Sequence, residues 1–320
     1  MRCLSILIAS LALAAAPLAA HSQSAYPTKT IHLVVPVTTG GPSDIVARLL
    51  AERLAVSLGK AVIVENRPGA SNSIGAAVVA KAAPDGYTLL QAAANMATLP
   101  ILISDLPFDV VKDFAPVSLT HVTPYVFIVS SQSSVKSLQE LVKSIRDNPG
   151  KTSYGTTGEG SPQQLATLLF AQTAGGFGSM IEVPYKGSSA AHPDLIGNRF
   201  SFMIDPLAAA GPHIKSGALR GLAVTTLQRY PAFPDMPTAN EGGVKGYDFS
   251  SWGGMFAPAG TPREVVQKLN ADIGVALANP DLIRRFGEMG LVARHSTPEE
   301  FGIFLQSEIS RWRSVLTKKP

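Results

Sequence analysis

The chain has 320 residues, with 27 Lys and Arg against 23 Asp and Glu and a formal net charge of +4. The basic residues are scattered, with no Lys/Arg block and no basic stripe interleaved with aromatics, which argues against a nucleic-acid partner. Cys3 is the only cysteine, so loss of the first residues would exclude disulfides, thiolate metal sites and a Cys nucleophile.

Those first residues have the pattern of a segment that is removed. Arg2 supplies a positive charge, Leu4 to Ala16 is apolar, and small residues follow from Ala19 to Ala25. This is the three-part pattern of a secretory signal peptide, expected to span residues 1–22 with Ala20-His21-Ser22 before the cut. The apolar run is shorter than a membrane-spanning helix needs. The expectation is a periplasmic protein with no membrane insertion after cleavage. A chain of this remaining length can rely on its core instead of disulfides and has room for two domains.

From Ile31 onward, extended and helical patterns alternate. Ile31 to Val37 reads as a strand, followed by a Thr38-Thr39-Gly40-Gly41-Pro42 loop. The helix behind it has Ile45, Val46, Leu49, Leu50 and Leu54 on one face, and Gly59 ends it. Val62 to Val64 is the next strand, Ile74 to Ala82 an Ala-rich helix, and Tyr87 to Leu90 a third strand after a Pro84-Asp85-Gly86 turn. This βαβαβ order implies a parallel sheet with helices on both faces.

The order then repeats. Val126 to Val129 is a strand, and Ser137 to Glu140 is a capping box opening a helix. Thr152 to Gly155 leads into a second corner, Thr156-Thr157-Gly158-Glu159-Gly160-Ser161-Pro162, which also opens a helix. A strand at Met180 to Val183, a helix from Ser188 to Ile196, a strand at Phe200 to Ile204, a helix toward Ser216 and a strand at Leu219 to Val224 follow. Pro231 to Gly246 reads as a surface excursion, and Phe249 to Phe256 as an extended return. Thr261-Pro262-Arg263-Glu264 and Thr297-Pro298-Glu299-Glu300 both look like N-cap, Pro and capping Glu. The last helix lines up Phe301, Phe304, Leu305, Ile309, Trp312 and Leu316 as a core stripe. The expected division is lobe one at residues 23–124 plus 250–320 and lobe two at 125–249. Two doubly wound α/β lobes joined by two crossings make a hinge, which allows closure on a ligand.

The two Thr/Gly corners carry the functional reading. Glycines let backbone approach a ligand, and the first amides of a helix favour an anion. The bland alternative is a pair of tight βα turns. Two similar corners far apart in sequence point instead to one anion-gripping loop per lobe around a shared cleft, at the carboxyl ends of the strands. The candidate ligand contacts are Thr38, Thr39, Gly40, Gly41, Ser43 and Asp44 in corner one, and Thr156, Thr157, Gly158, Gly160, Ser161 and Gln164 in corner two. Ala93 and Asn95 are the candidate floor. Lys186, Ser188 and Asp205 complete the set in lobe two. Asp44 has two roles open to it, capping its helix or orienting a bound group. No Arg stands in either loop, which favours backbone recognition over an Arg clamp. No catalytic residue, metal ligand or cofactor is expected. His32, His121, His192, His213 and His295 lack ligand-type spacing, and Gly158 to Pro162 lacks the spacing of a nucleophile elbow. The rivals are a sensor passing its closed state to a membrane kinase and a periplasmic hydrolase.

Several segments in order carry a family resemblance: Pro36 to Asp44 with Ala47-Arg48, Val64 to Ala70 (Val-Glu-Asn-Arg-Pro-Gly-Ala), Lys81 to Leu90 with Pro84-Asp85-Gly86-Tyr87-Thr88-Leu89, Leu106 to Asp109, Asp113 to Val117, Val183 to Gly187 and Ala257 to Pro262. Together they resemble the Bug family of solute-binding proteins of tripartite tricarboxylate transporters. The resemblance implies a periplasmic binding protein architecture. It also implies a small carboxylate held by the two βα loops and delivery to the transporter's membrane subunits; the chain itself is expected to be a monomer. The chain departs from the family at Val37, Thr38 and Thr39, where an aromatic and Pro or Ala usually precede the glycines, and at Gln164, where His is frequent.

Overall fold

The computed structural model of the chain describes residues 26–40, 42–176 and 180–317. The expected signal peptide and Gly41 lie outside the described residues. The elements are β1 (Ile31–Val35), α1 (Pro42–Leu58), β2 (Val62–Asn66), α2 (Ser73–Ala80), β3 (Thr88–Ala93), α3 (Leu99–Leu102) and β4 (Phe114–Ser130). Then come α4 (Leu138–Asp147), β5 (Ser153–Thr156), α5 (Pro162–Thr173), β6 (Ile181–Pro184), α6 (Ser188–Ile196), β7 (Phe202–Pro206), α7 (Leu207–Lys215) and β8 (Leu219–Val224). The chain closes with β9 (Ser250–Pro258), α8 (Arg263–Leu277), α9 (Pro280–Glu288), β10 (Val292–Ala293) and α10 (Pro298–Thr317).

The strand order is β2-β1-β3-β9-β4-β7-β5-β6, with β8 and β10 also pairing β4. β1 lies parallel between β2 and β3, and its Ile31, Leu33, Val34 and Val35 are all buried. That continuous apolar run suits a strand covered on both faces. On one face α1 and α8 bring Val46, Leu50, Leu54, Leu269 and Ile273 into one core. On the other, α2 and α10 supply Ala76, Val79, Phe301, Leu305 and Trp312. Each large side chain sealed this way contributes roughly 1.5–3 kcal/mol.

β4 joins the two lobes. Its Phe114 to Pro124 pairs antiparallel with β9, whereas Tyr125 to Ser130 lies between β7 and β8. Only Val126 to Val129 of this 17-residue strand was legible as a strand. Pro116 and Pro124 interrupt the pattern, and the register slips after Pro116, because proline donates no ladder hydrogen bond. The return crossing is equally abrupt. The Phe249 amide bonds the Thr225 carbonyl beyond β8, and the next residue, Ser250, pairs with Pro124. Beside this crossing, buried Glu308 of α10 accepts from Trp252 Nε1 at 3.3 Å, Trp312 Nε1 at 3.1 Å and Arg311 at 3.0 Å. Arg311 in turn donates to the Asp248 carbonyl.

Ser137 and Ser161 cap their helices through the Glu140 and Gln164 amides. Thr297 and Glu300 form the reciprocal capping box. Thr261 does not cap α8: its hydroxyl donates to the Pro258 carbonyl at 2.7 Å, and the helix begins one residue later than the capping pattern requires. No helix among the described residues is long and apolar enough to cross a membrane.

Candidate functional site

Corner one is built around a carboxylate. Pro42 is the first residue of α1, so Asp44 falls in the first turn, where the helix dipole favours negative charge. Asp44 is only 1% exposed. It accepts from the Gly40 amide at 2.9 Å, from Arg48 through two bonds of 3.0 Å, and from Asn66 Nδ2 at 2.8 Å. Burial pushes its carboxyl upward, but the bonds from Arg48, Gly40 and Asn66 outweigh that and hold it below the usual carboxylate range. Asn66, at the end of β2, also donates to the Val37 carbonyl and accepts from Thr39 and Arg48. Gly40 takes φ of +89° to bring its amide round.

Corner two repeats the device with the groups exchanged. Gly160, at φ +71°, donates its amide to Gln164 Oε1 at 2.8 Å, four residues on, as Gly40 does to Asp44. Gln164 Nε2 then donates to Glu182 Oε2 of β6 at 2.8 Å. The fully buried Thr156 hydroxyl donates to Glu182 Oε1 at 2.7 Å and accepts from the Gly158 amide. A second chain of bonds runs from Thr157 to Gln163 Oε1 and from Gln163 Nε2 to Asp205. Buried Asp205 also accepts from Ser188 Oγ at 2.6 Å and pairs with His192 Nε2 at 2.8 Å.

These bonds add three features to the corners. The amides of Gly40, Gly158 and Gly160 donate inside their own loops, so they shape the corners. The hydroxyls of Thr156, Thr157, Ser161 and Ser188 likewise have protein partners, which for fully buried Thr156 is what burial demands. An Arg does belong to corner one: Arg48 arrives from the second turn of α1, one helical turn beyond Asp44. Thr38, Ser43 and Lys186 keep side chains without hydrogen bonds among the described residues, with Thr38 and Lys186 exposed. His192 is not isolated in space, since its ring meets that of His213 at 4.7 Å between centroids. Ser188 donates to Asp205 and not to His192, so the three do not make a nucleophile–base pair. Among the described residues no group of three or more His, Cys, Asp or Glu could hold a metal ion.

The lobes meet at a small cavity of about 40 Å³. Ala94, Asn95 and Thr98 line it from lobe one, and Gly160, Pro162 and Leu165 from lobe two. Of the expected residues, Asn95 and Gly160 come together here; corner one, Ser188 and Asp205 do not line it. Ala93 ends β3 immediately before this floor. A Cβ on Gly160 would stand 3.1 Å from Leu102 Cδ1 of lobe one, so corner two already rests against the opposite lobe. Larger hollows of about 550 and 600 Å³ lie elsewhere, beside α4 and beside α3, and contain none of the expected residues. Asn66, Arg48, Gln163 and Glu182 are the site residues that sequence reasoning missed. Of these, Asn66 lies in the Glu-Asn-Arg-Pro-Gly-Ala segment and Arg48 in the Ala47-Arg48 segment.

Residues 46–320 match the family model described as tripartite tricarboxylate transporter family receptor. The chain is 36% identical over 304 residues to the protein BugT of Bordetella pertussis, covering 94% of this chain and 92% of that one. A structure from R. palustris with adipate is 35% identical, with a TM-score of 0.75 over 91% of this chain and 97% of the other. MatC from Rhodopseudomonas palustris with bound malate is 32% identical, with a TM-score of 0.71 over 91% and 99%.

Proposed function

We infer the role of this chain from the premise that it belongs to the tripartite tricarboxylate transporter receptor family, whose members are periplasmic solute-binding proteins. It captures a small carboxylate between its lobes and presents the closed form to the membrane subunits of a transporter of this type. The observation that carries the reading is the pair of matched corners, each a Gly amide locked to a helix-start side chain, at the carboxyl ends of β1 and β5. The adipate and malate held by two relatives support an acidic solute. The lobes divide at Pro124/Tyr125, within the strand β4 that pairs β9 on one side and β7 and β8 on the other, and at Phe249/Ser250, just before β9, and residues 1–22 are a signal peptide removed on export.

Closure follows population logic: the solute favours the closed form through contacts made only there. Thr38 and Ser43 of corner one offer hydroxyls without partners among the described residues, and Asp44 with Arg48 holds the loop that presents them. Lys186 is an exposed cation beside corner two. A thermal-shift screen of the exported chain against small carboxylates, amides and nicotinic-type compounds tests the reading. A stabilising solute, weakened by Asp44→Ala and by Gly160→Val, is the expected result. A stabilising solute indifferent to both variants would move the site away from the corners.

A further inference from the structure

Besides Gly160 and Leu102, the lobes touch at a second place. β10 starts at Val292 opposite Val122 of β4, and β7 ends at Pro206 opposite Tyr125, a short step further along the same strand. Gly290, just before β10, and Ala208, just after β7, meet there, where β4 passes from one lobe to the other. The two contacts lie on opposite faces of the lobe-two sheet. Leu165 and Phe170 of α5 pack with Phe127 and Phe202. Leu207 and Ala210 of α7 pack with Val126, Ile128 and Met203, which alternate with those residues along their strands.

Neither side of this contact can yield locally. Gly290 is buried at φ +68° and terminates α9 in a Schellman motif. Its amide donates to the Gly287 carbonyl at 2.9 Å, and the Leu291 amide donates to the Phe286 carbonyl at 2.8 Å. Leu291 and Phe286 are themselves buried in the lobe-one core. Opposite them, Leu207 and Ala210 fix the start of α7 in the core of lobe two. A Cβ on Gly290 would collide with Ala208 Cβ and stand 2.8 Å from its Cα and 3.0 Å from its amide nitrogen. Those neighbours are backbone and a Cβ, with no flexible end to swing aside. Around the contact the seam is loose: a hollow of about 310 Å³ is lined by Leu207, Gly211 and Phe233 of lobe two and by Gly287 and Glu288 of lobe one. The lobes therefore meet here at a point that only a glycine permits. Gly59, after α1, has a similar φ of +64°, but a Cβ there would meet nothing within 4 Å.

We propose that Gly290 is a positioning residue for lobe closure: its missing side chain lets the start of α7 seat against the end of α9, and that seating fixes the angle between the lobes at which the cleft holds its solute. This rests on the two-lobe binding reading above. A side chain at position 290 touches no solute. It acts by propping lobe two away from lobe one, so the affinity falls with the fraction of chains that still reach the closed form.

The test places spin labels on the exported chain at Val56→Cys of α1 and Lys143→Cys of α4, both exposed positions. Pulsed electron resonance reads their separation, and calorimetric titration with adipate and with malate reads affinity. In this background at least one of the two solutes changes the separation. Gly290→Ala shifts the solute-bound separation and weakens that solute by about tenfold. Gly59→Ala introduces the same left-handed strain without the contact and changes neither. Ala208→Val crowds the contact from the other side with no left-handed strain and reproduces Gly290→Ala; it carries the test alone if Gly290→Ala does not fold. Gly290→Ala matching Gly59→Ala, or Ala208→Val matching the unsubstituted contact, would overturn the role of Gly290 while leaving the cleft reading standing. Solute binding with no change in separation would also overturn it. Binding of neither solute would overturn both.

Discussion

Corner one and corner two solve the same geometric problem with opposite chemistry. In both, a glycine amide two residues before the helix-starting Pro bonds a side chain in the first helical turn, and that side chain is tied to a residue of the neighbouring strand. Corner one puts the carboxylate on the helix, at Asp44, and the amide on the strand, at Asn66. Corner two puts the amide on the helix, at Gln164, and the carboxylate on the strand, at Glu182. The cation that balances corner one, Arg48, is replaced at the matching place in α5 by Leu168. The lesson is that the backbone hook depends on a carboxylate–amide pair and not on which side of the turn supplies which member. A second difference is positional. A Cβ on Gly40 would meet nothing within 4 Å, whereas one on Gly160 would press on Leu102 across the cleft.

The comparison can be broken most strongly at the cation. Arg48→Leu makes corner one resemble corner two but leaves a buried Asp44 carboxylate without its charge partner. It should lower unfolding stability by about 3 kcal/mol, less than a fully buried pair because Arg48 is half exposed; urea denaturation reads this directly. Gln164→Glu breaks corner two in the opposite sense, setting a second carboxylate beside Glu182. A loss of about 2 kcal/mol is expected, largely recovered when Glu182→Gln is added, since the pair is then restored in corner one's arrangement. A double variant no better than the single one would deny that the two members are interchangeable.

Acid sharpens the contrast. Because Asp44 is held below its ordinary range, its contribution is fully present above the carboxyl's unfolded range near pH 4. It is lost as pH falls through the lower folded value. Asp44→Asn should therefore be less stable than wild type at pH 7, by about 1 kcal/mol, with the gap closing in thermal melts as pH falls below about 4. The smallest effects belong to the threonines. Thr157→Val removes a half-buried bond to Gln163 and costs about 1 kcal/mol, whereas Thr39→Val removes an exposed bond to Asn66 and costs less than about 0.5 kcal/mol.

Much of the α/β order was legible because buried parallel strands read as apolar runs and amphipathic helices carry their period. α6 and β8 fall where the pattern places them. The front half of β4 did not read as strand, because two prolines interrupt it and its partner β9 lies more than a hundred residues away. Corner positions were legible from Gly, Pro and helix starts. Their internal wiring was not: Asn66 and Glu182 reach the corners through sheet register, which joins residues 22 and 18 apart in the chain.

The central claim is that both corners act on one solute. Calorimetric titration of the same carboxylate into the wild type, Asp44→Ala and Gln164→Ala tests it most directly. One site per chain, weakened by about tenfold or more in each variant, is the predicted result. Unchanged affinity in either variant, or two independent sites, would contradict a ligand shared between the lobes.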